Sequence, residues 1–288
     1  MVVTKHPMLD TSLGFLKYLL TAFLLYGIFI VVERIRPAEP HQPFRKILFN
    51  LQWYVLYSVV SLGMIPLGLN LVVPTLQQWL GAPLWHIPAP TNIWGYGLAV
   101  LAYFLATDFF YYWFHRAQHQ IPLLWEQHKF HHSDTALNVT STRRVHWLED
   151  PLVILFVALP IGLLLRFDGL ELGILAFVEI LWLQFIHMNL RLELGWLGRI
   201  IVGPQHHRLH HSFLPEHLDR NFAVFFPVWD MVFGTYYKPR RHEFPATGLA
   251  SGETYDQLWI GFILPLREWF GPGYLGRFFK GNCPERRN

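Results

Sequence analysis

Cysteine and charged residues are both scarce in this chain of 288 residues. Its one cysteine is Cys283, so the chain can form neither an intrachain disulfide nor a zinc or iron–sulfur site built on cysteines. Only 15% of the residues are charged while 52% are hydrophobic, which is too apolar for a typical soluble protein. The net charge of +3 is small, and we expect no nucleic-acid partner. These shortages favour a membrane-embedded protein.

Histidine, by contrast, is abundant: the chain has sixteen, and half of them fall into three boxes. The boxes read HRAQH from residue 115, HKFHH from residue 128 and HRLHH from residue 207. Residues i, i+3 and i+4 of a helix share one face, so each box presents two or three imidazoles together. Neutral imidazole binds iron, zinc, copper and nickel, and eight or nine such ligands suit two ions with open positions. The box histidines are His115, His119, His128, His131, His132, His207, His210 and His211.

Two other classes of metal protein fit this pattern less well. A zinc membrane hydrolase is disfavoured because no HExxH occurs and no Glu or Asp lies inside a box to act as its base. A non-enzymatic metal-binding or transport protein would need ligands near the membrane midplane, whereas the boxes flank the apolar runs. The histidines outside ligand spacing should lie on the surface or in loops: His6, His41, His86, His217 and His242.

Three apolar runs, 12–32, 49–73 and 94–114, are long enough to cross ~30 Å of hydrocarbon at about 1.5 Å per residue. Residues 151–187 predict a shorter helical hairpin. The more polar segments 115–150 and 188–288 predict a helical cap that holds the histidines. The sequence therefore predicts an all-α integral membrane protein that forms one domain over residues 1–288.

Lys and Arg are distributed unevenly over the loops. Four follow the first run and none lies in 74–93, while Arg143 and Arg144 are among the four that follow the third run. The positive-inside rule then puts the histidine boxes on the cytoplasmic side, with 74–93 and the hairpin tip at 166–169 outside. Arg143 and Arg144 would be cytoplasmic anchors. We expect a multi-pass protein of a bacterial inner membrane, or of the endoplasmic reticulum in a eukaryote.

The order HRAQH, HKFHH, QFIHMN and HHRLHH, followed by RNFAVFFPVWDMVFGTYY, resembles the fatty acid hydroxylase/sterol desaturase superfamily over about residues 95–240. The third box and its tail look most like the alkylglycerol monooxygenase branch and its bacterial relatives. Members are integral-membrane, histidine-ligated di-iron enzymes that use O2 to hydroxylate or desaturate lipids. The resemblance thus implies two iron ions, O2 as co-substrate and an acyl, alkyl or sterol chain as substrate. Hydroxylation is the expected reaction, with desaturation by the same site as the alternative.

The resemblance also implies roles for particular residues. The eight box histidines match its ligand positions, and His187 matches a lone histidine at the end of the hairpin. His206 would stand behind the ligands, and for His146 both that role and a ligand role remain open. Asp108 and Asn221 would orient ligands through hydrogen bonds to imidazole. No GxGxxG fingerprint or haem-attachment motif occurs, so the electrons should come from another protein or a diffusible reductant.

Overall fold

A computed structural model of the chain describes residues 7–271, with side chains from residue 13 onward. This part is mostly helical, and three of its helical stretches are long and apolar enough to cross a membrane. The candidate spans are Leu13–Glu33, Phe44–Leu80 and Ile93–Gln120. The first belongs to helix α1 (Pro7–Glu33). The prediction of a helical protein with three candidate spans is confirmed.

The second candidate span is longer than the run predicted for it, because the helix continues past its two prolines. Helix α2 (Phe44–Leu67) passes through a π-helical turn (Gly68–Val72) into α3 (Val73–Leu80). Pro66 and Pro74 each lack an N–H, and the single π-helical turn lies between them within the continuous helix. Gly68 permits close packing there, since a Cβ at this position would collide with the side chain of Ile154.

Helix α4 (Ile93–Gln120) forms the third candidate span and carries the first histidine box at its end. Asn92 caps its start, with its side-chain oxygen accepting from Gly95 N–H at 2.8 Å. One extended residue, Ile121, then separates α4 from α5 (Pro122–His132). Pro122 explains this break, because proline starts a helix well and pushes the preceding residue out of helical conformation. The second box is thereby folded back beside the first.

The hairpin contains α6 (Glu149–Val153), a π-helical turn (Ile154–Ala158), α7 (Leu159–Leu164) and α8 (Leu172–His187). At its tip, strand β2 (Leu165–Phe167) pairs in parallel with β1 (Trp85–Ile87), which departs from the all-α prediction. The pairing of the two strands provides hydrogen-bond partners for backbone N–H and C=O groups where two loops meet. The loops predicted to lie on the outer side are therefore adjacent. They lie at the opposite ends of α4 and α8 from His115 and His187.

The remaining helices surround the histidine end of the bundle. Helix α11 (Leu258–Trp269) packs against α5, with Leu264 fully buried and Gly261 close to the rings of Trp53 and Phe130. Glu33 joins the end of α1 to this region, because one of its carboxylate oxygens accepts from both Val139 N–H and Asn189 N–H at 2.7 Å. The other elements are α9 (Pro204–His210), α10 (Val228–Val232), α11 (Leu258–Trp269) and 3₁₀ turns at Val139–Arg143, Gly195–Arg199 and Pro215–His217.

Candidate metal centre

Four helix ends bring the nine predicted ligands together. The first box lies on the last two turns of α4, the second on α5, and the third on α9 and the residue after it. His187 is the last residue of α8. The nine histidines separate into two groups, in each of which the candidate ligand atoms lie within 4.8 Å of one another. The five-histidine group contains His115, His119, His128, His132 and His210, and the four-histidine group contains His131, His187, His207 and His211.

The second and third boxes each contribute to both groups. In the second box, His128 and His132 are one helical turn apart and join the five-histidine group, while His131 joins the other. The third box reverses this, because His207 and His211 join the four-histidine group and His210 joins the other. Neighbouring helical residues point about 100° apart, so a histidine doublet can serve two centres. This division explains why both boxes end in HH.

Ring nitrogens inside the groups approach one another closely. Nε2 of His187 lies 2.9 Å from Nε2 of His207 and 3.2 Å from Nε2 of His131, and Nε2 of His211 lies 3.1 Å from that of His207. In the other group, Nε2 of His119 lies 3.1 Å from that of His132. Two imidazole ligands about 2.1 Å from one ion and at right angles would lie about 3 Å apart. The spacing thus fits nitrogens arranged around an ion.

Unsatisfied nitrogens give a second test of the fit. Within the described residues, Nε2 of His115, Nε2 of His210 and both nitrogens of His128 are buried without a hydrogen-bond partner. Nδ1 of His211 is likewise buried without a hydrogen-bond partner among the described residues. Buried polar atoms are nearly always hydrogen-bonded, and leaving one unpaired costs about 1–3 kcal/mol. A bound metal ion would satisfy one such nitrogen on each ring, so the residues present fit a metal.

The site also keeps its imidazoles neutral. Burial lowers the pKa of His128, His132 and His207 well below the usual value, and neighbouring histidines lower it further. The pKa of His210 is lowered in the same way, first by burial and then by His115. Only neutral imidazole offers a lone pair to a metal.

Backbone carbonyls behind four of the rings fix which nitrogen faces the centre. A carbonyl oxygen can only accept, so the Nδ1 of each contacted ring is the donor. The remaining Nε2 then directs its lone pair toward the group, an arrangement typical of metal-binding histidines. The pairs are His115 with Phe222 (2.8 Å), His131 with Arg144 (3.3 Å), His187 with Leu183 (2.7 Å) and His210 with Arg220 (2.9 Å).

Among the residues that the structure describes, Asp108 and Asn221 form no hydrogen bond to an imidazole, in contrast to the expectation from the sequence. The carboxylate of Asp108 accepts from the backbone N–H groups of residues 224, 225 and 226 at 2.8–3.1 Å. Asp230, which sequence reasoning missed, accepts from those of residues 222 and 223. The two buried carboxylates thus fix the segment whose Phe222 carbonyl orients His115. Asn221 instead exchanges two hydrogen bonds with the backbone of Tyr237.

Arg144 is fully buried and is not the cytoplasmic anchor that its sequence position indicated. Its guanidinium donates to the Phe130 carbonyl, the Ser133 hydroxyl and the Asn50 side chain, all behind the second box. It also forms an ion pair with Asp256 at 3.0 Å. Sequence spacing gives no sign of this role, since the partners come from three distant segments.

The other histidines lie outside both groups. His146 uses both ring nitrogens on the backbone, at the Phe262 carbonyl (3.1 Å) and Leu148 N–H (3.2 Å). His206 is buried beside the third box without a place in either group. His217 was expected on the surface or in a loop; it is the last residue of a short 3₁₀ turn and is buried against Tyr237. His41, His86 and His242 are exposed, and His6 lies outside the described residues.

A helical bundle with three candidate membrane spans and two histidine groups at one end of them defines a histidine-box protein with a candidate metal centre. The model of the family described as fatty acid hydroxylase matches residues 100–235, which include all nine histidines. Residues 100–235 are therefore similar to the fatty acid hydroxylase family, and the resemblance found in the sequence is confirmed.

Several curated proteins are similar to the same region. Alkylglycerol monooxygenase of Danio rerio is 34% identical over 145 residues, 50% of this chain and 31% of that protein. Its namesake in Homo sapiens is 29% identical over 194 residues, 62% of this chain and 41% of that protein. Ornithine lipid hydroxylase OlsE of Rhizobium tropici is 29% identical over 157 residues, 51% of this chain and 44% of that protein. The chain thus spans less than half the length of each. No solved structure matches it.

Proposed function

We propose that the protein oxidises an unactivated C–H bond of a membrane lipid, using O2 and two iron ions held by the two histidine groups. The observation that carries this proposal is the separation of nine histidines, eight of them buried and His119 half-buried, into two adjacent groups of ion-sized spacing. Hydroxylation is favoured over desaturation because similar proteins are named as monooxygenases and hydroxylases.

Bound iron would supply the activation of O2 and the removal of hydrogen from an unreactive carbon, which side chains cannot perform. The residues of the chain would hold and shield this centre. The five-histidine group would bind one ion and the four-histidine group the other, through neutral nitrogens oriented by backbone carbonyls. Phe222 and Trp125 lie against the imidazoles of the five-histidine group and would help to exclude water.

The position of the centre supports entry of the substrate from the bilayer. On α4, the exposed Trp94 and Trp113 lie about 28 Å apart along the axis at about 1.5 Å per residue. Tryptophans favour the two membrane–water interfaces, and the hydrocarbon core is ~30 Å thick. His115 would then lie just outside the hydrocarbon. Ligands at this level, away from the midplane, also argue against a transport role.

We further propose that the histidines lie on the cytoplasmic side of the membrane and that the electrons come from outside the chain. The Lys and Arg bias supports a cytoplasmic position for the histidines, in a bacterial inner membrane or the endoplasmic reticulum. Electrons would come from a separate redox protein or a diffusible reductant. Cysteine labelling tests the sidedness: in a Cys283→Ser background, Thr91→Cys should react from outside and Glu216→Cys only from inside. Equal labelling of both from one side would contradict this orientation.

Lipid profiling under isotopic oxygen tests the function itself. Cells that express the chain and grow under ¹⁸O2 should accumulate a lipid carrying one additional ¹⁸O atom, detected by mass spectrometry. Cells expressing His210→Ala should lack this product, while cells expressing the exposed His41→Ala should contain it. A new double bond without added oxygen would indicate desaturation instead. Lipid oxidation would be refuted if cells with and without the chain contained identical lipids although the expressed chain was fully loaded with iron.

A further inference from the structure

A basic cleft lies next to the third histidine box, outside both histidine groups. It has a volume of about 470 Å³ and is bounded by the 3₁₀ turn Gly195–Arg199, the start of α9 and the loop 236–241. The basic cleft is defined by Arg199, His206, Tyr236, Lys238, Arg240 and Arg241. Nothing in the proposed oxidation requires this cleft.

The positive charge of the cleft is not balanced by acidic side chains. Among the residues that the structure describes, none of its three arginines and one lysine forms an ion pair. Glu193 also lines the cleft, but its carboxylate is already engaged by His242. It accepts from the backbone N–H of His242 and lies 2.9 Å from Nδ1 of the same residue. The cleft therefore offers several charged donors to one anion.

His206 adds a buried imidazole to these exposed cations. Its side chain is 4% exposed, and the Gly198 backbone can engage one ring nitrogen, which leaves the other without a hydrogen-bond partner in the part of the chain that the structure describes. The ring packs against Gly198, where a Cβ would approach its Cε1 to 2.6 Å, so glycine provides the space for it. A buried imidazole with an unpaired ring nitrogen, placed beside four cations, points to a polar ligand in this cleft.

The loop that carries the cations is fixed in place. Gln205, next to His206 on α9, donates from its side-chain amide to the carbonyls of Arg240 (2.8 Å) and Glu243 (3.0 Å). The Glu243 carboxylate in turn accepts from Arg240 N–H at 2.7 Å. These bonds hold the basic loop against the helix of the third box, so that its donors are already positioned before a ligand binds.

An apolar edge beside the cleft indicates where its ligand comes from. Trp196 is 71% exposed, and Leu197 and Ile200 are exposed on the same short segment. Tryptophan and aliphatic side chains in such positions favour the membrane interface. Arginine and lysine next to them recognise phosphate, with the planar guanidinium able to form two parallel hydrogen bonds.

We propose that the basic cleft binds the phosphate of a lipid head group at the membrane surface. The metal-loaded full chain in neutral detergent should bind a short-chain phosphatidic acid but bind the matching diacylglycerol at least about tenfold more weakly, as measured by calorimetry. Arg199→Gln with Arg241→Gln should weaken phosphatidic acid binding by at least about tenfold, because charge-assisted hydrogen bonds are lost.

A matched control removes the same charge elsewhere. Arg34→Gln with Arg45→Gln, both at exposed positions, should leave binding within about twofold of the unchanged chain. Metal content and thermal midpoint show whether each variant folds, and the exposed single change Lys238→Gln serves if the double variant does not. Equal binding of diacylglycerol, or undiminished binding by the folded cleft variant, would overturn the proposal. Inorganic phosphate that binds as tightly as phosphatidic acid would indicate a free-phosphate site and would also overturn it.

Discussion

In the four-histidine group, ring nitrogens approach one another in a chain from His131 through His187 and His207 to His211. In the five-histidine group, three rings have buried nitrogens that no described residue contacts by a hydrogen bond, compared with one ring in the four-histidine group. Without an ion, the five-histidine group leaves single nitrogens unpaired, while the four-histidine group brings the Nε2 lone pairs of His131 and His187 face to face. The comparison indicates that two sites built from the same boxes both need a metal, each for a different reason.

Removing one ligand from each group should have the largest effect. We expect His210→Ala and His131→Ala each to lower product formation by about a hundredfold or more, because each opens a coordination position of a different ion. Iron analysis of the purified variants should show the loss of one ion per chain, with membrane insertion unchanged. If either variant kept both ions and near-normal product, the histidine group it belongs to would not be a ligand set.

Asp108→Asn should affect the five-histidine group more than the other. An amide offers one acceptor oxygen where the carboxylate accepts three backbone N–H groups, so unfolding should become easier by roughly 2–4 kcal/mol. The displaced Phe222 carbonyl should also weaken iron binding through His115 by about 10–100-fold. Thermal midpoints and iron titration measure both effects. Asp168→Asn, a change of a surface ion pair at the other end of the bundle, should leave the thermal midpoint and iron binding close to those of the unchanged chain.

Arg144→Lys should instead weaken the two groups to a similar extent. Lysine keeps the positive charge but cannot reproduce the planar fork that contacts Phe130, Ser133 and Asn50. We expect the free energy of unfolding to fall by about 1–3 kcal/mol, with both ions released more readily by a chelator. The reason is that α5 carries ligands of both groups. Selective loss of one ion would show that the groups are supported separately behind the second box.

His41→Ala should have the smallest effect. Its side chain is exposed and belongs to neither group, so stability should change by no more than about 0.5 kcal/mol. Iron content and product should match the unchanged chain. A loss of iron in this variant would mean that exposed histidines supply metal to the centre, and the distinction between the two buried groups would need revision.

The sequence predicted the parts of this arrangement that depend on local spacing. Apolar runs indicate spans, and i, i+3, i+4 histidines indicate a shared helical face. It did not predict which ion each histidine of a doublet serves, because that depends on how α5 and α9 are rotated against α4 and α8. The roles of Asp108 and Asp230 were missed for a similar reason, although an acidic residue inside an apolar run is a usable signal. Arg144 gave no signal, since its contacts lie up to 112 residues away.

The histidine doublets have a consequence for the geometry of the pair of sites. His131–His132 and His210–His211 each join one group to the other through a single peptide unit, whose Cα atoms are about 3.8 Å apart. The rings of His132 and His211 also stack across the boundary, with centroids 4.3 Å apart. The separation of the two centres is therefore set mainly by covalent bonds at two points. Small collective displacements of the surrounding helices should shift both centres together and leave the distance between them nearly constant.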